Sequence, residues 1–271
     1  MSRQRLPVYL INIARAVDRL AAIRASSLDL GIEIQRIEGV DGSSVAVEQW
    51  VDVDRLGFAR RHGRSILPGE YGCYRSHLMA LHEFLASESD AAIVIEDDVE
   101  LNGELMERAL AAHHAVPAAG IIKLVNHRWK GFREHVRSTR GDQIGRCLFG
   151  PQGSTACYLV TRSGAENLLR ALAVMNLPWD VAVERGWDTN VSIFATRENL
   201  VGFSKSQRET MIGRRRDYRA AKLAFWKRIP AHIFRTIDFF RRLAYVLSRP
   251  APAVTGKAPL VDPQAIRKPL D

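Results

Sequence analysis

The residues with the clearest chemistry in this chain stand side by side. Ile93-Val94-Ile95 runs directly into Glu96-Asp97-Asp98, three adjacent carboxylates that repel one another. A fold tolerates such a cluster most easily when a hard divalent cation neutralises it. Residues 91–95 read as a buried parallel strand, which puts the acids at its C-terminal end, where open α/β sheets form their ligand crevice. The competing reading is a solvated acidic turn that caps the next helix. The surroundings of the motif decide against it.

The elements that must position this motif alternate along the chain. Residues 6–13 read as strand, 18–30 as a helix ending at Gly31, and 32–37 as a second strand. Helices over 70–87, 104–114 and 164–174 and strands over 121–125 and 156–161 follow, with 201–204 closing the sheet. Strands and helices in this order, joined by short connections, predict a layered α/β fold. Residues 39–68 are mixed and polar, contain the Asp41-Gly42 turn and the basic run Arg60-Arg61-His62-Gly63-Arg64, and read as a mobile insertion. The Gly- and Arg-rich stretch before residue 156 reads as a loop. Residues 250–271, rich in Pro, Ala and Lys without periodicity, read as a flexible tail.

Length and charge narrow the class. At 271 residues the chain is long enough for one large α/β domain. Its three cysteines, Cys73, Cys147 and Cys157, are an odd set without zinc-type spacing, which points to a reducing cytoplasm. The net charge of +9 is uneven: between positions 205 and 249, 13 Lys and Arg face only Glu209, Asp217 and Asp238. Such a stretch suits nucleic acid, an anionic lipid surface or an acidic acceptor, and sign alone does not choose.

Six motifs in a fixed order carry a resemblance. Val8-Tyr9-Leu10-Ile11-Asn12-Ile13 with Arg15, Asp18 and Arg19 resembles the opening of glycosyltransferase family 25, the lipopolysaccharide and lipooligosaccharide biosynthesis enzymes. The Glu38-Gly39-Val40-Asp41-Gly42 turn, the Leu67-Pro68-Gly69-Glu70-Tyr71-Gly72-Cys73-Tyr74-Arg75-Ser76-His77-Leu78 segment and Val94-Ile95-Glu96-Asp97-Asp98-Val99 are similar to its next three motifs. Gly153-Ser154-Thr155-Ala156-Cys157-Tyr158-Leu159-Val160 is close to its late strand, with Ala156-Cys157 where the family shows a small residue and Gly. Leu177-Pro178-Trp179-Asp180 stands near its Pro-Val-Asp, with Trp for Val. The resemblance fades after Met211.

The resemblance implies a GT-A-like, Rossmann-like nucleotide-sugar-binding sheet over residues 1–210, a basic amphipathic helical extension over 211–249 and the tail beyond. It also implies an inverting enzyme that moves a sugar, by expectation galactose from UDP-galactose, to a lipopolysaccharide, lipooligosaccharide or other glycan or glycolipid acceptor. A bound Mn²⁺ or Mg²⁺ would stabilise the leaving diphosphate. On that reading Asp98 is the first metal ligand, Glu96 supports the metal or the ribose, and Asp97, of opposite strand parity, is structural or touches the donor. Asn12, Arg15 and Arg19 lie where an Arg fork and helix N-terminal amides can hold phosphates, against a plain helix cap and surface pair. Glu70, Ser76, His77 and Gln207 join the donor-binding group. Inversion needs a base for the acceptor hydroxyl, with Asp180, Asp188 and Glu184 as candidates in that order, against an ordinary amphipathic helix. Trp179 and Trp187 are platforms for a sugar face or core aromatics. Cys73 reads as a small core residue.

The rival functions are a metal-dependent nuclease or phosphotransferase and a nucleic-acid-binding module. The first needs a second acidic or histidine cluster that the sequence lacks, and the second needs basic residues spread across the whole domain. No nucleic-acid partner is expected. Within the extension, Ile229, Ile233, Ile237, Phe240, Ala244 and Leu247 recur at helical spacing among Arg228, Arg235, Arg241, Arg242 and Arg249. This predicts a helix that lies in an anionic membrane interface, peripheral at the inner face of the cytoplasmic membrane, or one that packs its apolar side on the domain.

Overall fold

The computed structural model describes residues 6–204 and 215–248. In chain order the strands are β1 (Val8–Ile13), β2 (Ile34–Gly39), β3 (Ala91–Glu96), β4 (Val99–Glu100), β5 (Ile121–Lys123), β6 (Phe132–Arg137), β7 (Gln143–Cys147), β8 (Cys157–Thr161), β9 (Ile193–Thr196) and β10 (Gly202–Phe203). The helices are α1 (Val17–Asp29), α2 (Arg55–His62), α3 (Pro68–Ala86), α4 (Leu105–Ala115), α5 (Arg162–Ala171), α6 (Trp179–Val183), α7 (Gly186–Thr189), α8 (Arg215–Ala220) and α9 (Ile229–Leu247). Eight strands form one sheet in the order β2-β1-β3-β8-β5-β9-β7-β6. The β2-β1-β3 end is parallel, β8 runs antiparallel between β3 and β5, and the β7-β6 end is antiparallel.

Strand alternation builds the core on both faces of this sheet. Tyr9, Ile11, Ala92 and Val94 join the cluster that contains Leu81 and Phe84 of α3 and Leu168 of α5. Val8, Leu10, Ile93 and Ile95 face the other way, toward Ile23 of α1 and Leu105 and Ala109 of α4. Period-two side chains on a sheet buried on both faces give the near-continuous apolar runs that the sequence shows. This is the α/β layered sheet with helices at its C-terminal end that the motifs predict.

Three sequence expectations change. Residues 39–68 are built into the fold: α2 lies there, and Phe58 and Arg64 are buried, the guanidinium resting over the Phe58 and Tyr218 rings. The stretch read as a loop contains the β6–β7 hairpin, whose outer strand is mostly exposed and so lacks the apolar alternation by which a strand is recognised. Residues 202–203 do not close the main sheet but pair with β4 as a separate two-stranded ribbon. The tail, Arg249 and Gln207 lie outside the described residues.

Candidate active site

The parallel register of β1 and β3 sets Ile11 opposite Glu96, so Asn12 and Asp97 follow as neighbours at the C-terminal edge of the sheet. The Asn12 side-chain amide, buried, donates to Asp97 Oδ2 at 2.7 Å and to the Ala16 carbonyl at 3.1 Å, and its oxygen accepts from Arg36 Nε at 3.1 Å. Arg19 donates to Asp97 Oδ1 at 3.2 Å. Both Asp97 oxygens are therefore engaged, and Asn12 is a bracket between the strand ends with its own polar atoms committed to protein. Burial still raises the Asp97 pKa, against the effect of Asn12 and Arg19.

Asp98 is treated differently. Its Oδ1 is buried without a hydrogen-bond partner. Burial first, then the charges of Glu96 and Asp97, push its pKa up to about 7. A buried carboxylate oxygen with no donor is a costly arrangement that native structures keep for a reason. A hard divalent cation at this oxygen would supply the missing partner and relieve the repulsion. The Asp98 carbonyl accepts from the Ser204 amide at 2.9 Å, so the β4–β10 ribbon holds this turn in place.

Glu96 is fixed from below. His77, fully buried on α3, lies with Nε2 at 3.2 Å from Glu96 Oε1 and Nδ1 at 3.1 Å from the Tyr158 hydroxyl. A carboxylate at Glu96 can only accept, which puts the imidazole proton on Nε2, and in that tautomer the Tyr158 hydroxyl donates to Nδ1. The His77 ring stacks on Trp179, centroids 4.9 Å apart and nearly parallel. His77 thus orients an acid, as one sequence reading had it, and Trp179 is a buried support for that imidazole and not a sugar platform.

Asn12, Arg19, His77, Glu96, Asp97 and Asp98 line an open cleft, which also takes in Arg15, Asp41, Gly42, Cys73 and Ser76. Arg15 is exposed and pairs with Asp41. The Asp41-Gly42 turn lies directly on the first turns of α3: a Cβ at Gly42 would fall 1.8 Å from the Pro68 carbonyl oxygen, and one at Gly72 2.3 Å from that of Val40. Two motifs thirty residues apart in the chain are thus two halves of one backbone contact. Ser76 completes it, donating to the Gly72 carbonyl at 2.7 Å and accepting from the Val40 amide at 2.8 Å. Its hydroxyl is engaged in this joint, at the wall of the cleft.

Other predicted site residues are placed outside the cleft. Glu70 is buried in a fork–fork pair with Arg64 and accepts from the Leu67 amide at 3.0 Å, which caps α3; it is a structural acid, not a donor contact. Glu184 is buried against Lys123 Nζ at 2.7 Å and Arg242 at 3.2 Å, and it accepts from the Gln152 and Gly153 amides. Burial alone would raise its pKa, but Lys123 and Arg242 outweigh it and hold the group below its ordinary value. A carboxylate so fully committed cannot take a proton from an acceptor. Asp188 is half-exposed and bonded to Arg185 at 2.6 Å, and Trp187 packs edge-on to Tyr245 of α9, away from the cleft.

Asp180, in the first turn of α6, is the remaining base candidate. It follows Trp179, on which His77 stacks, and it lies close enough to Cys73 of the cleft wall for their charges to interact. Burial first, then the Glu184 charge, raise its pKa to about 6. A carboxylate in that range can be both ionised and basic near neutral pH.

Among the described residues, Cys73, His77 and Glu96 are the group of possible metal ligands with atoms within 4.8 Å of one another. The thiol is pushed well above its ordinary pKa by burial and neighbouring carboxylates, and both His77 nitrogens are engaged by Tyr158 and Glu96, so this trio forms a wall of the cleft. Sequence reasoning gave no role to Lys123, Arg64 or Tyr158. The one visible signal was a lysine within the apolar run Ile121-Ile122-Lys123-Leu124-Val125.

Comparison with known proteins gives the family of the chain. Residues 5–183, which carry all of the groups above up to Val183, match the model of glycosyltransferase family 25 (LPS biosynthesis protein). A glycosyltransferase 25 family member of Aedes aegypti is 24% identical over 166 residues, 60% of this chain and 27% of that relative. Procollagen galactosyltransferase 1 of Danio rerio is 30% identical over 99 residues, 34% of this chain and 16% of the relative. A probable inactive glycosyltransferase 25 family member 3 of Rattus norvegicus is 30% identical over 105 residues, 37% and 18% of the two chains. The matched stretches span about a quarter or less of these relatives. With the family model covering well over half of its length, this chain belongs to glycosyltransferase family 25.

Proposed function

We propose that the protein is an inverting glycosyltransferase that moves a hexose from a nucleotide-sugar donor to a glycan acceptor, with UDP-galactose as donor and a lipopolysaccharide or lipooligosaccharide acceptor. The observation that carries this reading is Asp98, an unpartnered buried carboxylate oxygen beside Glu96 on the wall of an open cleft at the sheet's C-terminal edge. Asp98 and Glu96 would hold Mn²⁺ or Mg²⁺. Bound there, such an ion supplies charge stabilisation for the departing diphosphate. Arg15 and Arg19 border the same cleft and supply positive charge to the donor's phosphates. His77 keeps the Glu96 carboxylate aimed. Asp180 accepts the proton of the acceptor hydroxyl as it attacks the anomeric carbon. Galactose is preferred because the Danio rerio relative is named a galactosyltransferase, while the relatives named inactive make catalysis itself the first thing to measure.

The test is a screen of nucleotide-sugar hydrolysis across uridine, guanosine and cytidine diphosphate sugars, with Mn²⁺, with Mg²⁺ and with chelator. Release of UDP from UDP-galactose that chelator abolishes is the expected result. Hydrolysis of no donor, together with metal-dependent cleavage of an oligonucleotide, would overturn the reading in favour of a nuclease.

A further inference from the structure

The helix α9 has two opposed faces. At about 100° per residue, Ala231, Phe234, Asp238, Arg242 and Tyr245 fall within about 80° of one another, and they dock the helix on the domain. Asp238 bonds Arg185 at 2.8 Å, Arg242 reaches the buried Glu184 at 3.2 Å, and the Tyr245 hydroxyl donates to the Val191 carbonyl at 3.0 Å while accepting from the Ile193 amide at 2.7 Å. The apolar residues Ile229, Ile233, Ile237, Phe240 and Leu247 occupy another sector, centred about 150° away. All five are exposed, Ile233 at 57% and Phe240 at 61%. The alternative in which this stripe packs on the domain is thereby excluded for the described residues: the polar side does the docking, and the apolar side faces outward.

The surroundings of the stripe say what covers it. Phe225 and Trp226 stand exposed in the short helical turn before α9, Trp226 at 65%, and Phe149 stacks on Phe239 at its flank. Arg216, Arg219, Lys222, Lys227 and Arg241 are exposed in the same segment, whereas Arg235 lies toward the docked side and donates to the His62 carbonyl at 2.8 Å. The two acids among the described residues of this segment, Asp217 and Asp238, are half-buried. No described helix is long and apolar enough to cross a membrane, and the buried ion pairs keep α9 flat on the domain. An apolar stripe with aromatic residues at one end, carried by a segment rich in exposed cations, is the composition of an interfacial helix. A protein partner for so basic a segment would need a matching acidic surface, which a second copy of this chain does not offer among the described residues of this segment.

We propose that the outward face of α9 docks on an anionic lipid surface, with Ile233, Ile237 and Phe240 entering the headgroup boundary and the surrounding Lys and Arg contacting lipid phosphates. Several cations close to anionic headgroups add to the apolar contact and hold the chain at moderate salt. This inference is independent of the sugar-transfer reading. It is tested by sedimenting the full chain with vesicles of phosphatidylcholine alone and of phosphatidylcholine with phosphatidylglycerol, beside the double variant Ile233→Ser, Phe240→Ser and the double variant Lys227→Glu, Arg241→Glu. These side chains are exposed, so unchanged circular dichroism and melting temperature should accompany both variants. The wild type should pellet with the anionic vesicles and be released by salt. Each variant should bind at least about tenfold more weakly. Wild type that stays in the supernatant, or variants that bind as well as wild type, would overturn the proposal. So would a wild-type dimer, seen by sedimentation velocity, that Ile233→Ser, Phe240→Ser dissolves, because the stripe would then be an interface between copies.

Discussion

Two buried acids of this protein differ in everything but their chemistry. Glu184 meets Lys123, Arg242 and two backbone amides, and its pKa is held below the ordinary value. Asp98 has one oxygen with no partner and two carboxylates as neighbours, and its pKa rises to about 7. The first is an interior ion pair that fastens β5, α6 and α9 together. The second is a charge that the protein leaves under-compensated and open to a cleft. Where every lone pair is answered by the chain itself, the group is structural; where one is not, the answer is expected from outside. Asp180 stands between them, near the cleft and raised to about 6.

The comparison breaks most visibly at Glu184. Glu184→Ala leaves Lys123 and Arg242 buried without a counter-charge and should cost about 3–5 kcal/mol of stability, read from the midpoint of urea unfolding. A midpoint unchanged from wild type would mean that the pair is not an anchor. Asp180→Asn should lower kcat by about 10²–10⁴ while the donor dissociation constant stays put. In the wild type, turnover should fall as pH drops through about 6, where the base takes up its proton. The sign for stability runs the other way. A folded pKa near 6 against an ordinary 3.8 means that the native state binds the extra proton between those values, so stability from this group declines as pH rises through that window. Asp180→Asn should therefore not lower the melting temperature at pH 8, and a clear loss there would show that the ionised acid is a structural partner. Turnover that survives the substitution would show that Asp180 is not the base.

The smallest of the three effects sharpens the contrast within the acidic motif. Asp98→Asn should weaken Mn²⁺-dependent binding of UDP on the order of 100-fold without lowering the melting temperature, as calorimetric titration would show. Asp97→Asn should do the reverse, costing about 1 kcal/mol through its bonds to Asn12 and Arg19 and changing UDP affinity less. Equal losses of affinity in the two variants would sink the distinction between a ligand acid and a bracket acid.

Much of the framework was legible in the chain. Strand, helix, strand and the acidic strand end follow from local patterns, because a sheet buried on both faces writes itself as apolar runs and a helix as a 3.6-residue repeat. The Gly42 and Gly72 positions were visible as motifs, though not as a contact. The exposed β6–β7 hairpin and the inserted α2 were missed, since neither shows the alternation or the continuous apolar stripe that local reading depends on.

What each acid is for was decided elsewhere. The sequence determined that Glu70, Glu96, Asp97, Asp98, Asp180, Glu184 and Asp188 exist near family motifs, and that the C-terminal helix is apolar on one side and basic around it. Only the tertiary structure supplied Arg64 to Glu70, Lys123 and Arg242 to Glu184, and Arg185 to Asp188, while it left Asp98 with an unanswered oxygen. Likewise it turned the polar side of α9 inward. Helical periodicity records that a helix has two faces but not which one the domain will take; that choice was made by buried partners from strands and helices far away in the chain, whose charges and hydrogen bonds outweighed the apolar stripe.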